Sequence, residues 1–248
     1  PPRDPHPLPR CLPVDDVAAK LIDLIGHAIP DDSAEQVDAF AMIARNAGLM
    51  PAHPRLLDLG CGTGDSFDRL AGLFEGLRYT GADIEVSPEV ARRTRDDIDF
   101  VSYDGVTLPL ESGSFEICFC KQVLEHVRHP DAVIAEVARV LVPGGIFVGS
   151  VSFLEPYHSR SIFNWSPYGL VTVLRDHGLE TLQLRPGIDG VSMILRRLFG
   201  KKSFQRSFGR TSMFNHFIET EAARRSVRGR NAAKLEVAGH VAFLARKG

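Results

Sequence analysis

The sequence predicts an α/β protein built on a doubly wound, mostly parallel sheet. Three observations carry this. From residue 55 onward, short apolar runs alternate with amphipathic helical patterns. One apolar strand runs straight into a turn with three glycines at 60, 62 and 64. The chain has 248 residues, 44% apolar and 24% charged, which suits one large globular domain with small additions.

The same arithmetic excludes other classes. No run of about 18 uncharged apolar residues is present, so no transmembrane helix is expected. A net charge of −2 gives no global pull toward nucleic acid or an anionic membrane. Four cysteines are too few for a disulfide scaffold. Cys118 and Cys120 share one face of a strand but have no Cys/His pair at zinc-finger spacing, so no metal site is expected. Reduced thiols, and no apolar leader core near Pro1, point to a cytoplasmic protein.

Prolines 1, 2, 5, 7, 9 and 13 make the first 13 residues an extended tail. Val14, Val17, Leu21, Leu24 and Ile25 then mark one face of a helix. A second helix is expected from Asp32 or Ser33 to Asn46. Strands follow at Arg55–Leu59, Tyr79–Ile84, Phe100–Tyr103, Phe115–Cys120, Ile146–Phe153 and Leu179–Leu184. Between them lie helices at Thr63–Phe74, at Pro88–Arg95 with Ser87 as cap, at Asp131–Leu141 before Pro143-Gly144-Gly145, and at Pro167–His177 with Ser166 as cap. Residues 190–234 show no strand and hold eleven Lys or Arg against two Glu. Val237–Ala245 is a last strand.

Leu56-Leu57-Asp58-Leu59-Gly60-Cys61-Gly62-Thr63-Gly64 is the most informative stretch. Glycine permits positive φ and lets a ligand lie on bare backbone. In a parallel sheet such a turn opens on the crevice at the strand carboxyl ends. A dinucleotide fold would carry G-x-G-x-x-G, but here the third glycine position is Asp65. Asp58 and Asp65 flank the turn with negative charge, which disfavours a pyrophosphate and suits a ligand bearing positive charge. Asp83 ends the second strand, about 20 residues on, where a carboxylate accepts both ribose hydroxyls. Asp104 follows the third strand and is placed to accept from an adenine amino group, or simply to cap an Asp-Gly turn.

Together these residues resemble the class I S-adenosylmethionine-dependent methyltransferases, in the branch called methyltransferase type 11. Leu56–Gly64 resembles the first motif and Gly81-Ala82-Asp83-Ile84 the acidic ribose motif. Asp104-Gly105-Val106-Thr107-Leu108-Pro109-Leu110, Phe115-Glu116-Ile117-Cys118 followed by Val123-Leu124-Glu125-His126-Val127, and Leu141-Val142-Pro143-Gly144-Gly145 resemble three later motifs. The likeness implies a Rossmann-like seven-stranded sheet whose last strand is antiparallel. It implies S-adenosylmethionine as cofactor and S-adenosylhomocysteine as product. It puts Asp58, Gly60, Cys61, Gly62 and Gly64 around the methionine moiety, Asp83 and Ile84 at the ribose, and Asp104, Gly105 and Val106 at the adenine. Lys121 and Gln122 fall near the sulfonium, although a lysine is unusual there.

The division that follows is a tail and helices over 1–50 as an acceptor-side wall or lid, a cofactor-binding core over 51–189, a basic helical insertion over 190–234, and the final core strand over 235–248. A hydroxyl acceptor gains from a general base, and His126 and His158 stand just past strands four and five. Glu155 and Tyr157 belong to the same mouth. Phe153, Tyr157, Phe163, Trp165 and Tyr168 either line an amphipathic acceptor pocket or pack on the sheet. Arg196, Arg197, Lys201, Lys202, Arg206 and Arg210 are candidate contacts for an anionic acceptor, or a solvated face. The expected activity is methylation of a small molecule, at oxygen first and at carbon or nitrogen otherwise. A nicotinamide dehydrogenase and a non-catalytic cofactor-binding module are the rival classes, and nucleic acid is not an expected partner.

Overall fold

A computed structural model describes residues 15–200 and 211–248. The proline tail, Val14 and the basic residues Lys201, Lys202, Arg206 and Arg210 lie outside the described residues. Seven strands form one sheet: β1 (Arg55–Leu59), β2 (Arg78–Ile84), β3 (Asp99–Tyr103), β4 (Phe115–Lys121), β5 (Leu141–Ser152), β6 (Leu179–Pro186) and β7 (His240–Lys247). Their order is β3-β2-β1-β4-β5-β7-β6. Strands β1 to β5 pair in parallel, while β7 runs antiparallel between β5 and β6. The chain reverses direction across the sheet between β1 and β4, and this switch point opens a crevice at the carboxyl ends of the strands.

The central strands are apolar on both faces because helices cover both. Leu57 and Leu59 of β1, Cys118 and Cys120 of β4, and Phe147 and Val151 of β5 enter one core layer. That layer is closed by helices α4 (Pro130–Val140), α5 (Pro167–Asp176) and α8 (Val227–Glu236), and by α1 (Asp15–Ile25). Leu56, Ile117, Phe119, Ile146 and Val148 point the other way, onto α2 (Ala39–Arg45) and α3 (Phe67–Ala71). Helices α6 (Gly190–Phe199) and α7 (Met213–Glu221) lie in the basic segment.

Several expected boundaries shift. The buried face of α1 is Ala18 and Ile25, with Leu21 and Ile22 beside it, while Val17 and Leu24 are more than half exposed. The helix is turned so that it packs along α8 and α5. Helix α2 starts at Ala39 under an Asp38 cap, not at Asp32 or Ser33. The reason is tertiary: the carbonyls of Pro30, Ser33 and Ala34 accept from Asn231 and Lys234 on α8, and Val37 N–H donates to Pro186. A helix there would withdraw those groups. The buried Arg185 guanidinium also grips Asp32 with two bonds of 2.7 and 2.8 Å.

Helix α3 keeps only five of the residues expected for it, because the turn persists to Ser66. The helix expected at Pro88–Arg95 shrinks to one 3-10 turn, Val90–Arg92, capped by Ser87 at 3.0 Å as expected. Arg93 leaves it to donate to the Gly62 carbonyl and lie over the Phe100 ring. Strand β5 begins at Leu141 and runs through Pro143-Gly144-Gly145, with a register shift against β4. The Ser166 cap of α5 is in place, its hydroxyl accepting from Gly169 N–H. Helix α8 extends to Glu236, so the last strand starts at His240.

Gly149 on β5 is a close-approach glycine. A Cβ there would sit 1.8 Å from the Cys120 carbonyl oxygen of β4. Gly149→Ala is expected to lose about 1–3 kcal/mol by forcing the two strands apart. A urea midpoint equal to wild type would overturn that reading.

Candidate active site

A cavity of about 480 Å³ lies at the switch point. Gly60, Asp83, Ile84, Tyr103, Asp104, Gly105, Val106, Val123 and His126 are among the residues that line it. A larger hollow of about 690 Å³ opens at the opposite edge, among the first residues of β1 to β4. None of the residues assigned to the cofactor lines that one, and parallel sheets bind ligands at the carboxyl edge.

The glycine turn is built by sterics. Gly60, Gly62 and Gly64 all have positive φ, at 72°, 54° and 85°. A Cβ on Gly60 would also fall 2.3 Å from Val123 of the β4 loop. The Asp83 carboxylate ties the turn to β2, since Gly62 N–H and Ile84 N–H each donate to it at 2.7 Å. A carboxylate has about four acceptor sites, so both oxygens keep lone pairs for a ligand. Asp104 uses one oxygen to accept from Val106 and Thr107 N–H, which holds its carboxyl below the usual range. Asp83 and Asp104 thus stand in one cavity wall.

Other motif residues sit elsewhere. Asp58 is buried beneath the turn and accepts from the Tyr79 hydroxyl at 2.7 Å. Burial pushes it up to about 7, against the hydrogen bonds from Tyr79 and Ser66. Asp58 and Lys121 do not line the cavity. Lys121 is exposed on the α2 side, its ammonium 5.2 Å from the Phe40 ring centre. Cys61 is buried, its Sγ accepting from Arg93 at 3.6 Å, and burial pushes its thiol up to about 12. Cys118 and Cys120 are buried free thiols inside the core.

Beside the cavity, past β4 and β5, a polar cluster gathers. Gln122 has φ of 56°, a rare conformation for a side-chain-bearing residue, and is pinned to Ser150 by its backbone N–H (2.9 Å) and its side-chain amide (3.0 Å). The Ser152 hydroxyl lies 2.8 Å from Gln122 Oε1, 3.0 Å from Glu125 Oε1 and 2.6 Å from Glu155 Oε2. One hydroxyl proton serves three acceptors. Glu125 is 0% exposed, and burial pushes it up to about 7. Burial raises Glu155, but the bond from His240 Nε2 at 2.8 Å, the Ser152 hydroxyl and His158 together hold it low. His126 and His158 stack edge to face with ring centres 5.2 Å apart. Burial lowers the His126 pKa.

The two candidate histidines, 32 positions apart in sequence, are therefore neighbours. Glu155 joins them, and Tyr157 is nearby but largely exposed. Trp165 takes the packing alternative: it is 8% exposed within the core layer. Tyr168 lines a separate groove between α1, α5 and the start of β6. Glu125, Ser152 and His240 were not singled out from the sequence. Glu125 was legible only as part of the Leu124-Glu125-His126 motif, and His240 lies 85 residues from its partner Glu155. Arg197 donates to the Tyr157 carbonyl, which links α6 to this mouth.

Residues 57–149 match the model of the methyltransferase domain family. The 27-O-demethylrifamycin SV methyltransferase of Amycolatopsis mediterranei is 35% identical over 127 residues, covering 46% of each chain. The putative sarcosine dimethylglycine methyltransferase from Galdieria sulphuraria superposes with a TM-score of 0.56 at 18% identity, over 94% of this chain and 99% of that one. The [4+2]-cyclase SpnF superposes with a TM-score of 0.55 at 23% identity, over 93% and 92%. The chain spans less than two thirds of the length of the curated relatives it matches, from 24% to 58% among the first of them. The sheet order, the glycine turn and the matched domain define one class of protein. Residues 57–149 carry a methyltransferase domain, and the sheet around them has the class I methyltransferase fold.

Asp58 makes the fold pH-sensitive in a definite direction. Its ordinary value is 3.8, and the native state raises it to about 7. Between those values the folded chain keeps a proton that the unfolded chain has lost. Its contribution is complete below the lower value and disappears as pH rises through the upper one. Wild type should therefore lose stability relative to Asp58→Asn between pH 4 and 7, by up to a few kcal/mol at about 1.4 kcal/mol per pKa unit. Parallel urea curves for the two chains would refute this.

Proposed function

We propose that this chain transfers the methyl group of S-adenosylmethionine to a hydroxyl oxygen of a small molecule. The observation that carries the reading is the cavity wall itself. Asp83, Asp104 and the bare glycine turn face one space at the sheet's carboxyl edge. Hydroxyl and amino donors of a nucleoside suit those acceptors, and a pyrophosphate does not. The acceptor oxygen supplies its lone pair to the methyl carbon. The carbon–sulfur bond breaks, its electrons pass to sulfur, and S-adenosylhomocysteine remains. The acceptor's proton leaves to the histidine pair. Much of the acceleration comes from holding the two molecules at near-attack distance.

Oxygen is favoured over nitrogen or carbon because His126 and His158 stand together beside the cavity. The name of the rifamycin relative also describes a methylated oxygen. A sugar, lipid-linked or natural-product hydroxyl fits, and Arg197 beside Tyr157 suits an anionic group on the acceptor. The fold likeness to a protein named as a cyclase favours one second reading, a site that binds this cofactor without methyl transfer.

Calorimetric titration with S-adenosylhomocysteine, with NAD as control, tests the cofactor. Binding of the first and not the second is expected. Asp83→Ala should weaken that binding by about 1–3 kcal/mol, the cost of a lost acceptor for buried donors. Unchanged affinity would remove the ribose assignment. His158→Ala should leave S-adenosylhomocysteine affinity unchanged and slow transfer by about 10²–10⁴-fold. Full turnover in that variant would leave proximity as the mechanism.

A further inference from the structure

We propose that Glu125, His126 and His158 form a site for one divalent first-row transition cation, of the Zn2+ type, at the edge of the cofactor cavity. Its use would be to hold the acceptor oxygen and lower its pKa, with His126 and His158 then acting as ligands and the proton leaving to solvent; that use rests on the methyl-transfer reading, and the site itself does not.

Each of the three residues offers a donor atom, and these atoms all lie within 4.8 Å of one another. Two imidazoles and one carboxylate are a recurrent donor set for catalytic cations, with positions left open for substrate. Bonds of roughly 2.0–2.1 Å to a tetrahedral ion place donors roughly 3.4 Å apart. Side-chain rotations of about 1.5 Å close that gap. His158 sits on a segment already anchored to the site: Ile162 and Phe163 N–H both donate to the Glu125 carbonyl, and Ser161 N–H to that of His158.

The independent observation is Glu125 itself. It is fully buried, and its Oε2 has no hydrogen-bond partner among the described residues. A buried carboxylate oxygen without a donor costs free energy that a cation would recover. Nearby atoms do not supply the donor, because the single Ser152 hydroxyl is contested by Gln122, Glu125 and Glu155.

The surroundings also match what cation sites require. Metal-bound imidazoles commonly direct their other nitrogen at a carbonyl or carboxylate. His126 hydrogen-bonds the Arg160 backbone, and His158 Nδ1 lies 3.6 Å from Glu155 Oε1. Glu155 is in turn fixed by Ser152 and His240. His126 lines the cofactor cavity, so an acceptor oxygen held here would lie next to the bound cofactor. The absence of cysteines from the set explains why the spacing of cysteines said nothing about it.

The test uses the full chain, stripped with a chelator and then titrated with Zn2+ and Co2+, with Mg2+ as control. One equivalent of Zn2+ or Co2+ is expected, with visible cobalt bands of a four- or five-coordinate site. Glu125→Gln and His158→Ala should each weaken binding by at least about tenfold. His158 is partly exposed, so its variant serves if the buried substitution unfolds the chain. No stoichiometric binding, or equal binding in both variants, would overturn the site. S-adenosylhomocysteine is titrated into the same samples. Binding of that ligand without any cation removes the cation site alone. A bound cation without that ligand removes the methyl-transfer reading and leaves the site standing.

Discussion

Strand β1 has parallel neighbours on both edges and helices on both faces, so its last residues are fixed in space before the chain turns. Everything at the site depends on how sharply the backbone leaves that strand. Val123 occupies the space where a side chain on residue 60 would project. Gly60 and Cys61 N–H both donate to the Ala82 carbonyl, which locks the turn against β2. The Asp83 carboxylate then closes the joint from the other side through Gly62. The turn is rigid because three strands and one carboxylate determine it together. A ligand that lies on it therefore meets a preformed surface, which limits the ordering cost of binding.

The carboxyl edge of β4 and β5 follows a different logic. There the chain collects polar groups that the core would reject: Gln122, Glu125, Ser150, Ser152, Glu155 and His240, with His126 and His158 at the rim. Such networks stabilise a single arrangement only when every member is satisfied. Among the described residues, this one leaves a buried carboxylate oxygen without a donor. Unsatisfied buried groups in native proteins mark places where stability has been given up for function. Gln122 in its left-handed conformation adds local backbone cost at the same spot.

The helical additions tie the N-terminal segment to the rest without secondary structure of its own. Residues 30–37 run extended and give their carbonyls to α8, while Arg185 of β6 reaches out to Asp32. Lys234 is buried between the Ala34 carbonyl and Glu219 of α7. These contacts are long-range in sequence and close in space. They join residues 30–37, α7, α8 and the edge of the sheet into one wall.

Sheet, switch point and the turn that opens on the crevice were all legible in the sequence, for a physical reason. A strand buried on both faces must be apolar throughout, and a turn with three positive-φ residues must be glycine, so residues 55–64 declare themselves locally. Ser87 and Ser166 were readable as caps because a cap acts within three residues. What failed were features set by distant partners. Helix α2 starts late because α8 claims the carbonyls ahead of it, and α1 turns its face toward helices 150 and more residues away. Trp165 could line a pocket or join the core, and only packing decided for the core. The meeting of Glu125 and His126 with His158, and of Glu155 with His240, has no local signature. It exists because parallel strands deliver the ends of β4 and β5 to the same edge, and the antiparallel β7 brings His240 alongside.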